Sequence, residues 1–274
     1  DRATEEEVQA LREEMGLNDP YIIRYVKYIR NILKGNFGYS YRTGGSVMYE
    51  IMQRYPYSLF LITISLLFSV CIGIPLGVYA ATHQYSWKDN AAILISLFCV
   101  SMPIFWFALM LVQLLGVKLA LLPTSGISSW KGWILPIFTG SLAFVATVAR
   151  QTRSNMLEVI RQDYIVTARA KGQSERKILY RHALKNAVIP VIMVVGTIFG
   201  MAMGGMMITE VIFSIPGLGI YTLSALQNRD YPVIQTCVLF LATLFAVVLL
   251  LIDIVFAIVD PRIRSQFSGR RRTK

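Results

Sequence analysis

Charged residues are scarce in this chain. Asp, Glu, Lys and Arg make up 16% of its 274 residues, hydrophobic residues make up 55%, and the mean hydropathy is +0.53. Soluble domains carry about 25% charged residues, so this composition excludes an ordinary soluble protein and favours a bilayer. The net charge of +11 does not indicate nucleic acid binding, because the basic residues lie between apolar runs and not among aromatic residues.

The residues and motifs of catalytic and metal sites are equally scarce. Cys71, Cys99 and Cys237 lie inside apolar runs without CxxC or Cys/His spacing, so we expect buried, small apolar side chains and neither a metal site nor a disulfide framework. His83 and His182 belong to no HExxH motif, which argues against an intramembrane enzyme. No GxxxxGK[ST] motif occurs, so we expect no ATP hydrolysis and no cofactor on this chain.

Five apolar runs are long enough to cross a bilayer, which takes about 20 helical residues. They occupy residues 57–81, 91–117, 134–149 with a continuation to 152, 187–208 and 233–259. Backbone groups in lipid must bond within their own segment, so the sequence predicts an all-α membrane protein. Glycines at four-residue intervals predict close helix packing, although those of the fourth span could also form a flexible wall of a passage: Gly73, Gly77, Gly196, Gly200 and Gly204.

The last span contains one deeply placed acid, Asp253. A lone charge at the bilayer centre costs about 2.5 to 3.5 kcal/mol on insertion scales. We favour a structural partner on a neighbouring helix, or hydration near the end of the span, over an ion or substrate contact.

The first 54 residues are predicted to form a separate, amphipathic helical segment, followed by a membrane domain over residues 55–274. Thr4 and Glu7 form a capping box whose helix ends at Gly16. Asp19 and Pro20 begin a second helix that runs to Gly35 with an apolar stripe of Ile22, Val26, Ile29 and Leu33. This stripe would lie on the membrane surface or on other helices.

The distribution of Lys and Arg predicts the orientation. With five spans, the connections at 83–90 and 150–186 and the tail after residue 260 share one side, and they carry most of the basic residues between and after the spans. The sequence therefore predicts a cytoplasmic C-terminus and an extracytoplasmic N-terminal segment. No signal peptide is visible, so we expect a sixth span ahead of the first residue given.

The most basic connection is the interval 150–186, with nine basic and three acidic residues. Apolar residues at helical spacing predict a short helix over 156–165, and the pattern resumes at Ile178 and Leu179 after a bend at Gly172. A connection that keeps helical periodicity around a glycine is typical of a docking element rather than of a slack linker.

This interval resembles the EAA loop of binding-protein-dependent ABC importer permeases, in the form found in the B-type permease of the dipeptide, oligopeptide and nickel group. Two departures from the broader family motif are typical of that group: Val166 replaces a glutamate, and the proline is delayed to Pro190. Val166 also stands where relatives commonly have a basic residue. The matching stretches are MPIFW at 102–106, LPTSG at 122–126, DYIVTARAKG at 163–172, RHALKNAVIPV at 181–191, IFSIPGLG at 212–219, NRDYPV at 228–233 and DPRIR at 260–264.

The resemblance implies a type I ABC importer transmembrane domain whose EAA loop forms a coupling helix in a cleft of an ATPase subunit. The helix that packs on its fourth span could belong to a homologous second permease. The docking residues implied are Thr167, Ala168, Arg169, Ala170, Lys171, Gly172, Arg176 and Lys177. An external gate or contact with the binding protein is implied for Glu210, Pro216, Gly217, Gly219, Arg229 and Asp230.

The partners implied are a second permease, two ABC ATPases that hold ATP and Mg²⁺, an extracytoplasmic substrate-binding protein and membrane lipid. The location implied is a bacterial inner or plasma membrane. Import of di- or oligopeptides is the expected function. Import of nickel or a metal chelate by the same machine stays open as an alternative, and an ATP-independent secondary transporter is the weaker rival.

Overall fold

The computed structural model describes residue 9 and residues 18–259. The predicted capping box at Thr4 and Glu7 and the tail after residue 260 lie outside this part. Within it, helices account for the regular structure, and one isolated β-bridge joins Tyr39 and Ser46, so the all-α prediction is confirmed. The main helices are α1 (Tyr21–Leu33), α2 (Val47–Thr82), α3 (Trp87–Ser101), α4 (Ile104–Leu111), α5 (Ile134–Ile160), α6 (Asp163–Ala170), α7 (Leu184–Gly205), α8 (Met207–Ile212), α9 (Leu218–Gln227) and α10 (Tyr231–Val259).

The centre of the fold is the pair α2 and α5. Four small residues at four-residue intervals, Ser65, Ser69, Gly73 and Gly77, form one face of α2. A Cβ on Gly73 would stand 2.9 Å from Val148, and one on Gly77 would stand 2.5 Å from the Ala149 carbonyl oxygen. Such contacts let two helix backbones approach closely where lipid removes the hydrophobic drive for helix association.

Hydroxyl groups continue this contact towards the other end of the helix pair. Ser69 donates through Oγ to the carbonyl oxygens of its own helix at Ser65 (2.6 Å) and of α5 at Ser141 (3.1 Å). Ser65 and Ser69 are both fully buried. The prediction of close packing at Gly73 and Gly77 therefore understates the contact, which extends over the full length from residue 65 to residue 77.

The second predicted span is not one straight helix. Helices α3 and α4 meet at an angle of 98° around Met102 and Pro103. Proline lacks an N–H and disfavours helical geometry for the residue before it, and Met102 has extended dihedral angles, φ −72° and ψ 129°. A π-helical segment, Val112–Lys118, follows α4. By length and composition the described chain has four candidate spans, or five when this bent pair is counted as one.

The predicted division at residue 54 falls inside a helix. Helix α2 begins at Val47, and Val47 and Ile51 pack in one buried cluster with Leu218, Val233 and Cys237. The second predicted N-terminal helix is present as α1, and Gly35 follows it with φ +79°. Residues 36–51 are thus packed on the membrane helices, while the apolar stripe of α1 is largely exposed.

The basic interval is mostly helical, and its boundaries differ from the prediction. Helix α5 continues to Ile160, so the short helix predicted over 156–165 is wrong: its first half is the end of α5. The separate short helix is α6, which begins after Gln162. After Gly172 the chain re-enters a helix at Glu175 and passes through a π-helical segment, Ile178–Ala183, into α7 without a break.

The glycines of α7 pack within this chain. A Cβ on Gly196 would stand 2.6 Å from Ile252, and one on Gly200 would stand 2.9 Å from Phe245, both on α10. The close helix contact predicted at these two positions is thus made with α10 of this chain and not with a second permease. The surroundings of Gly204 lie outside what the structure describes.

Two expectations for single residues in the spans also change. Cys237 is buried and Cys99 half-buried, but Cys71 is exposed, so the expectation of three buried cysteines is wrong for Cys71. Asp253 is exposed on the surface of α10, and no described residue of this chain bonds to its carboxylate. A partner on a neighbouring helix of the described chain is therefore not found.

Candidate functional site

The interval around Gly172 forms a tight helical turn at one end of the bundle. We call this end, made by residues 83–90 and 161–183, the basic end. Helix α6 closes with the Gly172 amide donating to the Arg169 carbonyl (2.9 Å) and the Gln173 amide donating to the Ala168 carbonyl (3.4 Å). This is the Schellman pattern, which needs a left-handed residue at the position after the helix cap. Gly172 supplies it with φ +72°.

A buried apolar cluster holds this turn onto the membrane helices. Ile165 of α6, Met156 of α5 and Ile178 of the following helix are fully buried and pack with Val78 of α2. Ala168 belongs to the same cluster and is 8% exposed. The prediction that Ala168 contacts an ATPase is thus corrected, because its side chain packs inside this chain.

Three side-chain interactions join the two sides of the turn. Arg169 donates to Glu175 through Nε (2.7 Å) and Nη2 (3.3 Å). His182 shares a hydrogen bond of 2.9 Å with Gln173, and Asn186 donates to the Tyr164 hydroxyl (3.0 Å). An exposed ion pair contributes at most about 1 kcal/mol, so the pair of Arg169 with Glu175 orients the turn more than it stabilises it.

The outer surface of the turn combines positive charge with exposed apolar groups. Most of the predicted docking residues are exposed: Thr167, Arg169, Ala170, Lys171, Gly172, Arg176 and Lys177. Val166 is 56% and Tyr180 59% exposed beside them. Since a Cβ on Gly172 would meet nothing within 4 Å, the turn presents a smooth surface that is open to another molecule.

An ion pair at the basic end anchors the connection between α2 and α3 to α5. Arg153 donates to both carboxylate oxygens of Asp89, through Nε (2.5 Å) and Nη2 (2.7 Å). Asp89 is 1% exposed and also accepts from the Tyr85 amide (3.1 Å). Arg153, one of the basic residues of the interval 150–186, is therefore held in a bidentate pair within the chain.

At the opposite end, which we call the far end, Glu210 is a buried anchor. Its carboxylate accepts from the Ser58 hydroxyl (2.6 Å) and from the amides of Gly219 (2.7 Å) and Ile220 (3.2 Å). A Cβ on Gly217 would collide with this carboxyl group. Burial raises the pKa of Glu210, while these three hydrogen bonds oppose the shift. With 2% of Glu210 exposed, its predicted contact with a binding protein is corrected.

Asp230 has a similar role at the same end. It accepts from the Ser40 hydroxyl (2.6 Å) and from the amides of Tyr41 (3.3 Å) and Arg42 (3.4 Å). These bonds hold the segment before α2 against the start of α10. Asp230 is 4% exposed, so it is not a surface contact. Of the external residues implied by the resemblance, Pro216 and Arg229 are exposed, Gly217 is buried and Gly219 is half-buried.

Sequence reasoning missed the residues that pair with these anchors. Asp89 has a local signal, because it stands three residues after Ser86, whose Oγ accepts from the Asp89 amide (3.4 Å) as a helix cap. Ser40 and Ser58 have no such signal, since each meets a carboxylate more than 150 residues away. No group of three or more potential metal ligands occurs among the described residues.

Residues 73–265 match the family described as binding-protein-dependent transport system inner membrane component. A probable peptide ABC transporter permease of Sinorhizobium fredii is 38% identical over 96% of this chain and 86% of its own length. An oligopeptide transport system permease of Bacillus subtilis is 41% identical over 92% and 83%, and a glutathione transport system permease of Escherichia coli is 36% identical over 94% and 84%.

Solved structures share the fold at lower sequence identity. A chain of the MetNI methionine ABC transporter, in an inward-facing conformation, is 18% identical with a TM-score of 0.64, covering 78% of this chain and 97% of that one. A chain of an amino acid ABC transporter is 14% identical with a TM-score of 0.55 and covers 78% and 94%. The predicted ABC importer transmembrane fold is confirmed by these two structures.

The ion pair of Arg153 with Asp89 gives a testable prediction. Changing Arg153 to Gln should destabilise the protein by about 3 to 5 kcal/mol, because it leaves a buried carboxylate unpaired. Adding Asp89→Asn should restore part of the loss. The measurement is the thermal unfolding midpoint of the purified protein in detergent, with Arg150→Gln, an exposed arginine on the same helix, as the control. Equal midpoints for Arg153→Gln and Arg150→Gln would contradict the role assigned to the pair.

The anchor at Glu210 gives a second prediction. Glu210→Ala should lower the unfolding midpoint substantially, because each buried donor left without an acceptor costs about 1 to 3 kcal/mol. Glu210→Gln can still accept from the two amides and should stay close to the unchanged protein. Arg229→Ala, at an exposed position of the same end, is the control for loss of a charged side chain. Similar midpoints for the Ala and Gln variants would show that the hydrogen bonds do not anchor this end.

Proposed function

This chain belongs to the family of binding-protein-dependent transport system inner membrane components, and we propose that it is the permease subunit of an ATP-driven importer of peptides. The observation that carries the substrate class is the set of relatives: at 36% to 41% identity over more than nine-tenths of this chain, they are named for peptide, dipeptide, oligopeptide or glutathione transport. Glutathione is itself a small peptide, so the substrates in all of these names belong to one chemical class.

The turn at the basic end is the proposed contact with the ATPase. Energy has to reach the membrane helices through a rigid element, and α6 is fixed to α5, α2 and the start of the α7 helix by Ile165, Ala168 and the hydrogen bonds across the turn. A push on its exposed surface is therefore transmitted to three membrane helices. Lys171, Arg176 and Lys177 supply positive charge for polar groups of the partner.

The remaining assignments follow from the same proposal. The basic end and the C-terminus face the cytoplasm, in agreement with the positive-inside rule. The far end faces outwards, where exposed Pro216 and Arg229 are candidates for contact with a substrate-binding protein. A second permease and two ATPases that hold ATP and Mg²⁺ complete the complex in a bacterial inner or plasma membrane, and this chain carries no cofactor of its own. Residues 1–54 lie outside the cytoplasm, although part of this segment is packed on the membrane domain.

Uptake in proteoliposomes tests the substrate class. The complete transporter with its binding protein should accumulate a radiolabelled dipeptide or oligopeptide when ATP is supplied on the side of the membrane where the ATPase subunits lie. Vanadate should abolish this uptake. Nickel, offered free or as a histidine chelate, should not compete. Uptake of nickel together with absent peptide uptake would favour the metal alternative, and uptake that persists without ATP would indicate a secondary transporter.

The role of Gly172 can be separated into backbone and contact effects. Gly172→Asn should retain most of the activity, because asparagine tolerates the left-handed conformation at a cost of about 1 kcal/mol. A Cβ on Gly172 meets nothing within this chain, but Gly172→Trp carries the backbone strain of an ordinary residue at φ +72°. Gly172→Ala has the same strain without the bulk, so a loss of coupling in Trp but not in Ala comes from the partner surface. We expect ATPase activity to become independent of substrate and uptake to fall by at least tenfold for Trp only. Full uptake with the Trp variant would contradict docking at this turn.

A further inference from the structure

A pocket opens between α2, α3 and α5 near the basic end. Its volume is about 320 Å³, and it lies against the close contact at Gly77. Most of the lining is apolar and comes from residues inside the predicted spans, such as Ala92, Ile95 and Ala146. Its volume is in the range of about 300 to 1,000 Å³ that is usual for small-molecule sites. The apolar interior of the pocket is therefore suited to a hydrocarbon group.

Two cations line the same pocket without a carboxylate partner. Lys88 and Arg150 both belong to the lining, and neither makes an ion pair with a described residue. Arg153, the third cation of the lining, is neutralised by the buried carboxylate of Asp89. An arginine about three helical turns before the end of α5 needs a counter-charge or water. The pocket thus combines an apolar interior with two uncompensated positive charges.

Aromatic residues place this pocket at the level of the lipid headgroups. Trp87 is 76% and Tyr79 46% exposed, and both belong to the lining. The Lys88 ammonium lies 5.6 Å from the centre of the Tyr79 ring. Tryptophan and tyrosine concentrate at the interface between hydrocarbon and water, so the cations lie where a phosphate group would be found.

We propose that this pocket binds one anionic phospholipid from the leaflet at the basic end. An acyl chain would occupy the apolar interior, and the phosphate would lie between Lys88 and Arg150. Positive pockets between membrane helices recognise anionic headgroups by this combination. The bound lipid would brace α3 against α2 and α5. This inference rests on the pocket and its charges, and it is independent of the transported substrate.

The test uses the complete transporter, purified and exchanged into mixed micelles of phosphatidylglycerol and phosphatidylcholine. Native mass spectrometry then measures which lipid remains bound. Each basic side chain near a membrane surface favours anionic lipid by about fivefold, so two should give a preference of about thirtyfold. The double variant Lys88→Gln with Arg150→Gln should lose this preference. In the absence of phosphatidylglycerol it should keep the unfolding midpoint of the unchanged protein, because neither residue belongs to the Asp89 pair.

A matched double variant removes the same charge elsewhere. Lys118→Gln with Lys131→Gln changes two exposed lysines at the far end and should keep the preference for phosphatidylglycerol. Ala92→Trp fills the pocket and should expel the bound lipid while both cations remain. Unchanged retention of phosphatidylglycerol in the Lys88 and Arg150 variant, or in Ala92→Trp, would overturn the proposal. Equal loss in the far-end control would also overturn it, because the preference would then depend on net charge alone.

Discussion

The close contact between α2 and α5 is the constraint on which the rest of the structure depends. In lipid, no hydrophobic driving force brings apolar helices together. The α2 and α5 pair is held instead by small residues from Ser65 to Gly77, which let the two backbones approach closely. The Asp89 pair with Arg153 fixes one end of this contact. At the other end, Ser58 of α2 donates to Glu210 and accepts from the Leu218 amide at 2.8 Å. The two functional ends of the chain are thus parts of one rigid frame.

Buried polar groups do different work at the two ends of this frame. At the far end, Glu210 and Asp230 accept hydrogen bonds from backbone amides and hydroxyls and so fix the connections there, together with buried apolar side chains such as Phe213 and Leu218. At the basic end, the Schellman turn at Gly172 needs no charged anchor, because the apolar cluster around Ile165 holds it from beneath. Positive charges there are left on the surface, where another molecule can meet them.

The lipid pocket follows from the same frame. Helix α3 leaves the bundle at Met102 and Pro103 with a bend of 98°, and the space between it and the α2 and α5 pair is not filled by side chains of the described residues. A bilayer component is the natural occupant of a gap that opens between membrane helices. The fold would in this way use lipid where the chain provides no side chain.

Structural features that depend on neighbouring residues along the chain could be predicted from the sequence. Apolar run length predicts helices and spans, and the glycine at 172 marks the bend, because both depend on the local sequence. The break at Met102 and Pro103 was not predicted, since the apolar run continues through it. Only the tertiary structure decided which polar groups are partners. In the sequence Glu210 is a candidate surface contact and Arg153 is one of nine basic residues in the interval 150–186. The structure places Ser58 and Asp89, which are distant in sequence, beside them. Gly196 and Gly200 likewise show a packing face in the sequence, but the identity of the facing helix, α10, is set by the three-dimensional arrangement.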